Sequence, residues 1–103
     1  MPEIARGNST DSVNTGHGCD ATTTTDACSG DVKVNGKGVV RFGDAIKSHT
    51  YPVGKSCVSH SPTMDTLCAS KVFVNGQKAA YKGSKYGGTH EITSGSATVF
   101  VGA

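Results

Sequence analysis

Four histidines are the residues of this sequence best suited to chemistry, and the chain contains no others: His17, His49, His60 and His90. None belongs to a Cys-x-x-Cys or His-Glu-x-x-His pattern, so a common site has to be assembled from distant segments. Four neutral imidazoles form a closed tetrahedral ligand set for Zn²⁺. We predict that these four residues bind one structural transition metal, with zinc as the expected ion and iron as the alternative.

An internal repeat explains how such distant residues could meet. Residues 32–44 and 72–84 are similar, the second copy begins 40 residues after the first, and both start with the pattern Val-x-Val-Asn-Gly. Asn-Gly is the strongest short signal for a β-hairpin, because both central residues of a type I′ turn need a positive φ. Each copy is therefore predicted to form a β-hairpin.

A third hairpin is predicted from the two ends of the chain. Residues 99–102 match the start of the repeat, and residues 4–8 resemble its second half with one residue deleted. No segment has the apolar spacing of a confident helix. The predicted fold is one all-β domain over residues 1–103: a small cone of three hairpins around a pseudo-threefold axis, with the third hairpin closed by the N- and C-termini.

The positions of the histidines follow this repeat. His17, then His49 and His60, and then His90 lie in the three successive connections between the predicted hairpins. If these connections meet at one end of the axis, the imidazoles come together and the metal lies near the apex of the cone. This correlation with the repeat is the reason to prefer a metal site over four unrelated surface histidines.

The composition indicates a small core that needs further support. Of 103 residues, 35% are hydrophobic, 14 are glycine and none is tryptophan, so a metal, disulfides or a partner subunit should add stability. A net charge of +2 from scattered basic residues gives no footprint for nucleic acid. The first residues have no apolar signal-peptide region, so we expect synthesis in the cytoplasm without a signal peptide.

Two of the four cysteines also follow the repeat. Cys28 and Cys68 each lie four residues before the first valine of a hairpin, at equivalent places. Such equivalence favours buried free thiols that pack as small apolar groups. A disulfide between Cys28 and Cys68 is the alternative, which the expected reducing cytoplasm disfavours.

Several motifs together resemble one protein family. They are Gly16-His17-Gly18-Cys19, the two Val-x-Val-Asn-Gly starts, the segment 40–44 (Val-Arg-Phe-Gly-Asp) and the closing segment 95–102. Over residues 4–102 the sequence resembles PAAR-repeat proteins, the conical tips of the central spikes of contractile injection machines such as phage tails and type VI secretion systems. It departs from the family at residues 80–84, where Arg and Asp are usual, and at residues 86–90, where many members have Cys-Gly.

The resemblance implies a metal near the apex and a structural function. His17, His49 and His60 match the usual histidines, His90 is the natural substitute for the missing cysteine, and Cys57 is the reserve ligand. The protein would then be a non-enzymatic cap, monomeric on its own, that binds one trimeric β-helical spike and sharpens it for piercing a target membrane. It would bind no nucleic acid. It would be part of a virion or be secreted by a contractile machine.

Two other functions remain open at this point. A zinc hydrolase would use three histidines with Glu91 as general base, but adjacent strand residues point to opposite faces, so Glu91 is poorly placed beside His90. A disulfide-stabilised β binding module would contain two bridges among four residues: Cys19, Cys28, Cys57 and Cys68.

Overall fold

The computed structural model of the chain describes residues 1–102, which are all β, without a helix. Among the described residues there is accordingly no helix that is long and apolar enough to cross a membrane. The molecule is elongated, with principal extents of 42 × 23 × 23 Å. Its eleven short strands are β1 (Ser12–Asn14), β2 (Thr22–Thr24), β3 (Lys33–Val34), β4 (Lys37–Gly38), β5 (His49–Val53), β6 (Ser56–His60), β7 (Met64–Thr66), β8 (Phe73–Val74), β9 (Gln77–Lys78), β10 (Lys85–Tyr86) and β11 (His90–Ile92).

Both predicted Asn-Gly hairpins are present. Strands β3 and β4 are antiparallel around Asn35-Gly36, and β8 and β9 around Asn75-Gly76. The φ angles are +54° and +79° in the first turn and +53° and +80° in the second. Positive values at both central residues are those that a type I′ turn requires, so the prediction from the dipeptide is confirmed.

The two ends of the chain lie side by side, as the repeat predicted. The Ile4 N–H donates to the carbonyl of Val99 over 3.0 Å, and the Val101 N–H donates to that of Pro2 over 3.0 Å. Between these bonds, Glu3 and Phe100 form an antiparallel bridge. The terminal segments therefore supply each other's backbone partners.

A closed cycle of backbone hydrogen bonds joins this terminal pair to the two hairpins. Val40 N–H donates to the carbonyl of Ala5 (3.1 Å), Ala80 N–H to that of Val40 (2.9 Å), and Ala5 N–H to that of Ala80 (3.1 Å). All three residues are fully buried. Small or β-branched side chains suit this position, because three backbones approach one another closely here.

The cycle divides the apolar core into two clusters. Consecutive residues of an extended chain point to opposite sides, so the segments 4–5, 39–40 and 79–80 each send one side chain to either cluster. The first cluster contains Ala5, Val13, Val40, Ile46, Met64, Ala80, Tyr86 and Ile92. The second cluster, beside the Asn-Gly hairpins, contains Ile4, Val39, Ala69, Val74, Ala79 and Val101.

Next to the first cluster lies an antiparallel sheet with strand order β2-β1-β11-β10-β7. A separate two-stranded ribbon, β5–β6, begins at the pair His49↔His60 and ends at a turn through Gly54 and Lys55. On the side of the histidine pair away from this turn, the segments before β5 and after β6 stay paired, because the Ile46 N–H donates to the carbonyl of Pro62 over 3.0 Å. The histidine pair thus lies between the core and an exposed ribbon of four further residue pairs.

The departure of the second full repeat from its pattern has a simple structural account. In the first repeat, the carboxylate of Asp44 accepts the backbone N–H of Arg41 over 2.8 Å and forms a salt bridge with its side chain at 3.0 Å. In the second, the hydroxyl of Ser84 accepts the Tyr81 N–H over 2.9 Å. A neutral pair therefore closes the same four-residue turn.

Gly38 tests how closely the first hairpin packs against residues 28–29. It is buried, and a Cβ at this position would overlap the carbonyl oxygen of Ser29 and lie 2.7 Å from Cys28 Sγ. We expect Gly38→Ala to lower the free energy of unfolding by about 3 kcal/mol. Gly30→Ala, where a Cβ would meet nothing within 4 Å, should change it by less than about 0.5 kcal/mol. Denaturant titrations of both variants measure the difference, and equal stability would contradict the packing described.

Candidate metal centre

The side chains of the four predicted ligands converge on one point. His17 Nε2 lies 3.2 Å from His49 Nε2, 3.2 Å from His60 Nε2 and 3.1 Å from His90 Nε2. His49 Nε2 lies 2.7 Å from that of His60 and 3.1 Å from that of His90. All four possible ligand atoms lie within 4.8 Å of one another, so the cluster could hold a metal ion.

The spacing of these nitrogens suits a tetrahedral ion. Four nitrogens at 2.0–2.1 Å from Zn²⁺ are about 3.3 Å apart. The closest pair of the cluster, His49 and His60, is separated by 2.7 Å, and the other measured pairs by 3.1–3.2 Å. An expansion of a few tenths of an ångström would bring these five of the six nitrogen–nitrogen separations to the tetrahedral value, and the sixth, between His60 and His90, is at most 4.8 Å.

The other ring nitrogens fix how the imidazoles are protonated. His17 Nδ1 lies 2.8 Å from the carbonyl oxygen of Gly18, and His49 Nδ1 lies 2.9 Å from that of Lys47. Only an N–H can donate to a carbonyl, so both neutral rings carry their proton on Nδ1 and direct a bare lone pair from Nε2 to the centre. Two such lone pairs 3.2 Å apart repel each other, and a cation between them removes the repulsion.

Each histidine is positioned by a different local device. His49 and His60 are cross-strand partners at the first pair of the β5–β6 ribbon. His90 begins β11 opposite the fully buried Tyr86, after a turn in which two glycines have positive φ. His17 lies in the loop between β1 and β2, after Gly16 with φ +75°.

An aromatic side chain that sequence reasoning missed covers one flank of the cluster. Tyr51 stacks on His60 with ring centroids 4.2 Å apart and an interplanar angle of 24°. It lies two residues after His49 on β5, so both side chains share the face that carries the cluster. Its only signal in the sequence is this spacing, which becomes informative once β5 is known to be a strand.

Burial keeps two of the imidazoles, those of His60 and His90, in the form that a metal requires. His49 is 5% exposed and His90 is 4% exposed. Desolvation, with smaller contributions from the neighbouring imidazoles, lowers the pKa of His90 to about 4. Burial, followed by His49 and His17, also lowers the pKa of His60. Neutral imidazole is the ligand form, so these two rings need not lose a proton at neutral pH before they bind a metal.

The cysteines correct part of the sequence prediction. Cys57 is joined to Cys19 by a disulfide, so its assignment as the reserve metal ligand is wrong. It precedes His60 by three positions on β6, an odd spacing that places it on the opposite face of the ribbon. Cys28 and Cys68 are free and half-buried, as predicted for packing thiols. Burial raises the pKa of Cys68 to about 11.

The same finding overturns the predicted pair of bridges, whereas a binding module stabilised by one disulfide stays a prediction. A single bridge connects cysteines within residues 1–102, and it is not the alternative between the two cysteines at equivalent repeat positions. The bridge was not predicted because the reducing cytoplasm expected from the sequence favours free thiols. The nearness of Cys19 to His17 and of Cys57 to His60 was the available signal.

A second missed residue holds the His17 loop against the ribbon. The Asp20 carboxylate accepts both the backbone N–H of Thr50, at 2.8 Å, and its hydroxyl, at 2.9 Å. In return the Asp20 N–H donates to the Thr50 carbonyl over 3.2 Å. These bonds lower the pKa of Asp20, and they attach the loop to the outer edge of β5.

Glu91 lies outside the cluster. It is exposed, whereas its neighbours His90 and Ile92 on β11 are buried, as alternation along a strand requires. Its cross-strand partners are Asn14 and Lys85. The general base of the hydrolase hypothesis therefore points away from the imidazoles.

Comparison with known proteins leaves the family unassigned. The chain matches no protein-family model and no curated protein. The likeness to PAAR-repeat tips consequently rests on the motifs quoted above, and a function derived from it is a proposal.

The first prediction for the centre concerns its ligands. Replacing any one of the four histidines by alanine should lower zinc affinity by more than about a hundredfold and lower the melting temperature of the zinc-loaded protein. Lys47→Ala is the matched control, because only the backbone carbonyl of Lys47 contacts the cluster. Metal analysis and thermal melts measure both effects. Full zinc content in one histidine variant would remove that residue from the site.

The second prediction concerns pH. The pKa of His90 falls from 6.5 to about 4 in the folded protein, so the unfolded chain binds more protons between these values. The lowered pKa of His90 therefore has no effect on the free energy of unfolding of the metal-free protein above pH 6.5 and lowers it progressively as the pH falls towards 4. Denaturant titrations at several pH values test this, and His90→Asn should flatten the dependence. A metal-free protein that is more stable at pH 4.5 than at pH 7 would contradict the burial of neutral imidazoles.

Proposed function

We propose that this protein is the tip of the membrane-piercing spike of a contractile tail or secretion machine. It caps a trimeric β-helical spike protein and is pinned by one structural metal, with zinc as the expected ion. The observation that carries the proposal is the closed hydrogen-bond cycle of Ala5, Val40 and Ala80. One chain that contributes three equivalent segments to a cycle can present a pseudo-threefold face to a trimer.

Equivalence of the three segments extends beyond the cycle. At three places a backbone N–H donates to a carbonyl over 2.8 Å. The residue that supplies each carbonyl is also the β-partner of another residue, and these three partners occupy the same position in the three copies of the repeat. We call each such group of donor, acceptor and β-partner a corner. The three corners are, in that order, Gly7, Gly38 and Lys33; Phe42, Lys78 and Phe73; and Lys82, Glu3 and Phe100. Three corners of the same construction can each contact one of the three identical strand ends of a trimeric spike.

The corners also expose aromatic surface that a partner would cover. All three phenylalanines of the chain are exposed: Phe42 by 43%, Phe73 by 56% and Phe100 by 46%. Phe42 and Phe73 line a pocket of about 230 Å³ with Lys78. Exposed aromatic residues around a pocket are typical of docking surfaces.

The open strand edges favour the same conclusion. The Asn-Gly hairpins have two-residue strands in isolated two-stranded sheets. One side of each hairpin bonds to a neighbouring segment, since Gly38 on β4 and Lys78 on β9 accept from Gly7 and Phe42, but no further strand within the described residues is paired with β3 or β8. Open strand edges are a liability unless they are covered, and the blunt end of a β-helix presents strand edges of its own. Three corners on three strand ends would cover both sets of edges with one cap per trimer.

The metal has a mechanical function in this proposal. A bound structural ion adds its binding free energy to the free energy of folding. The exposed β5–β6 ribbon buries little apolar surface, so the ion would hold it to the body of the tip at His49 and His60. No catalytic step is assigned. The cap is monomeric on its own, binds no nucleic acid, and meets the target membrane when the machine contracts; it is carried on a virion or secreted.

Docking is tested with the trimeric spike protein produced alongside the cap. Light scattering should give one cap per trimer. The double variant Phe42→Ala/Phe73→Ala should weaken the complex by about a hundredfold or more, because two exposed aromatic anchors are lost. Val58→Ala is the control, since Val58 is 43% exposed on the β6 strand of the ribbon and outside the three corners. Three caps per trimer, or no complex, would sink the proposal.

A further inference from the structure

The disulfide and the histidine cluster cross-link the same two segments. Cys19 follows His17 by two residues in the loop after β1, and Cys57 precedes His60 by three residues on β6. The Cys19–Cys57 bridge and the 3.2 Å approach of His17 Nε2 to His60 Nε2 therefore connect one loop to one strand.

The two links lie on opposite faces of the β5–β6 ribbon. His49 and Tyr51 alternate with Thr50 along β5, and the cross-strand register places His60 opposite His49. The imidazoles thus occupy one face, while the Asp20–Thr50 hydrogen bonds lie at the strand edge and Cys57 on the other face. Residues 17–20 pass round the outer edge of β5, with the metal site at one end of this clasp and the disulfide near the other.

The clasp is held by few apolar contacts. Residues 18–21 of the loop and residues 52–59 of the ribbon are exposed, and neither segment contributes a side chain to the apolar clusters. Apart from the bridge, the loop is attached to the ribbon by the hydrogen bonds between Asp20 and Thr50. The loop is also fastened to the end of β1, because the buried Thr15 donates its N–H to the Ala21 carbonyl over 3.0 Å and its hydroxyl to the Asp20 carbonyl over 2.6 Å. The disulfide adds the covalent link between this loop and the strand that carries His60.

The backbone of Cys19 adds a local link between the disulfide and the position of His17. Its φ is +64°, in the left-handed region that residues with a Cβ adopt at a cost. A cross-link to Cys57 limits the freedom of this residue to leave that conformation. A reduced Cys19 is free to return to a right-handed conformation, and such a change two residues from His17 would move the imidazole away from the other three.

We propose that the Cys19–Cys57 disulfide is a redox lock on the four-histidine metal site. Formation of the bridge preorganises His17 and tightens metal binding, and its reduction loosens the metal. The reductant is a small soluble thiol: two thiol molecules are oxidised to their disulfide, the protein S–S bond gains two electrons and two protons, and Cys19 and Cys57 become free thiols. Both cysteines are exposed, so such a thiol can reach them.

This lock rests on metal binding, which is one component of the proposed function, and it is independent of docking to a spike. Its consequence for the proposed function is that the state of the tip differs between the two sides of the target membrane. An oxidising exterior keeps the tip clasped and metal-loaded, whereas a reducing cytoplasm on the far side of a pierced membrane opens the clasp and releases the ion.

The first experiment compares two double variants loaded with zinc. Cys19→Ala/Cys57→Ala removes the bridge, and Cys28→Ala/Cys68→Ala removes the two free thiols as a matched control. Transfer of zinc to a chromogenic chelator should be roughly tenfold to a hundredfold faster from the first variant than from wild type, the range found when residues that orient metal ligands are removed. The control should release zinc at the wild-type rate.

The second experiment uses wild-type protein and so does not depend on folding of the bridgeless variant. The bridge is equilibrated in glutathione buffers with and without zinc, and its oxidised fraction is measured by alkylation and mass spectrometry. Coupling is reciprocal, so zinc should shift the thiol–disulfide equilibrium constant towards the bridge by roughly ten- to a hundredfold. Equal constants, or equal zinc release by a folded bridgeless variant, would overturn the lock. Wild-type protein that takes up no zinc at all would instead overturn the metal site and the lock with it.

Discussion

The closed cycle of backbone hydrogen bonds through Ala5, Val40 and Ala80 is the constraint on which the rest of the structure depends. In a chain with so little apolar surface, it fixes three distant segments with bonds whose partners are fully buried and cannot be exchanged for water. Strand alternation then assigns the neighbouring side chains to two separate clusters. The pairing of the chain ends follows from the same constraint, because Ala5 can take part in the cycle only if the N-terminal segment is held in place beside Val99 and Val101.

The histidine cluster is stabilised by different physics. The Nδ1–H groups of His17 and His49 donate to carbonyls, so their Nε2 lone pairs face each other at 3.2 Å, an arrangement that is unfavourable without a cation. A metal ion bound between these nitrogens would relieve the repulsion, which favours binding. The repulsion is tolerated because the body of the domain is held elsewhere, by the cycle. The loop and ribbon that carry three of the histidines bury little apolar surface, and a disulfide and an ion are the means by which a small β protein can order such segments.

How far the sequence predicts this protein depends on whether each feature is local or shared by the repeats. The Asn35-Gly36 and Asn75-Gly76 turns were predictable because the dipeptide alone demands positive φ. Pairing of the chain ends was predictable because a half-repeat stands at each terminus, and convergence of the four histidines because each inter-hairpin connection contains at least one. The Cys19–Cys57 bridge and the Asp20–Thr50 bonds were not predictable in this way. They arise where the loop passes round the edge of β5, a path that no local preference or repeat encodes. The order of the five-stranded sheet was missed for the same reason, since its strands lie in the connections, where the copies differ.

A tetrahedral ion at the end of a pseudo-threefold body also explains the one gross asymmetry of the proposed tip. Three connections cannot divide four ligands equally, so one of them has to supply two. The connection between the Asn-Gly hairpins does so, because His49 and His60 face each other as the first pair of β5–β6. A β-hairpin is an economical way to bring two ligands from one connection together, since cross-strand neighbours approach closely with no further packing. In the proposed tip, the hairpin that extends beyond the cluster follows from fitting four ligands to a body with three repeats, and the bridge from Cys57 to Cys19 gives this exposed ribbon a covalent link to the loop.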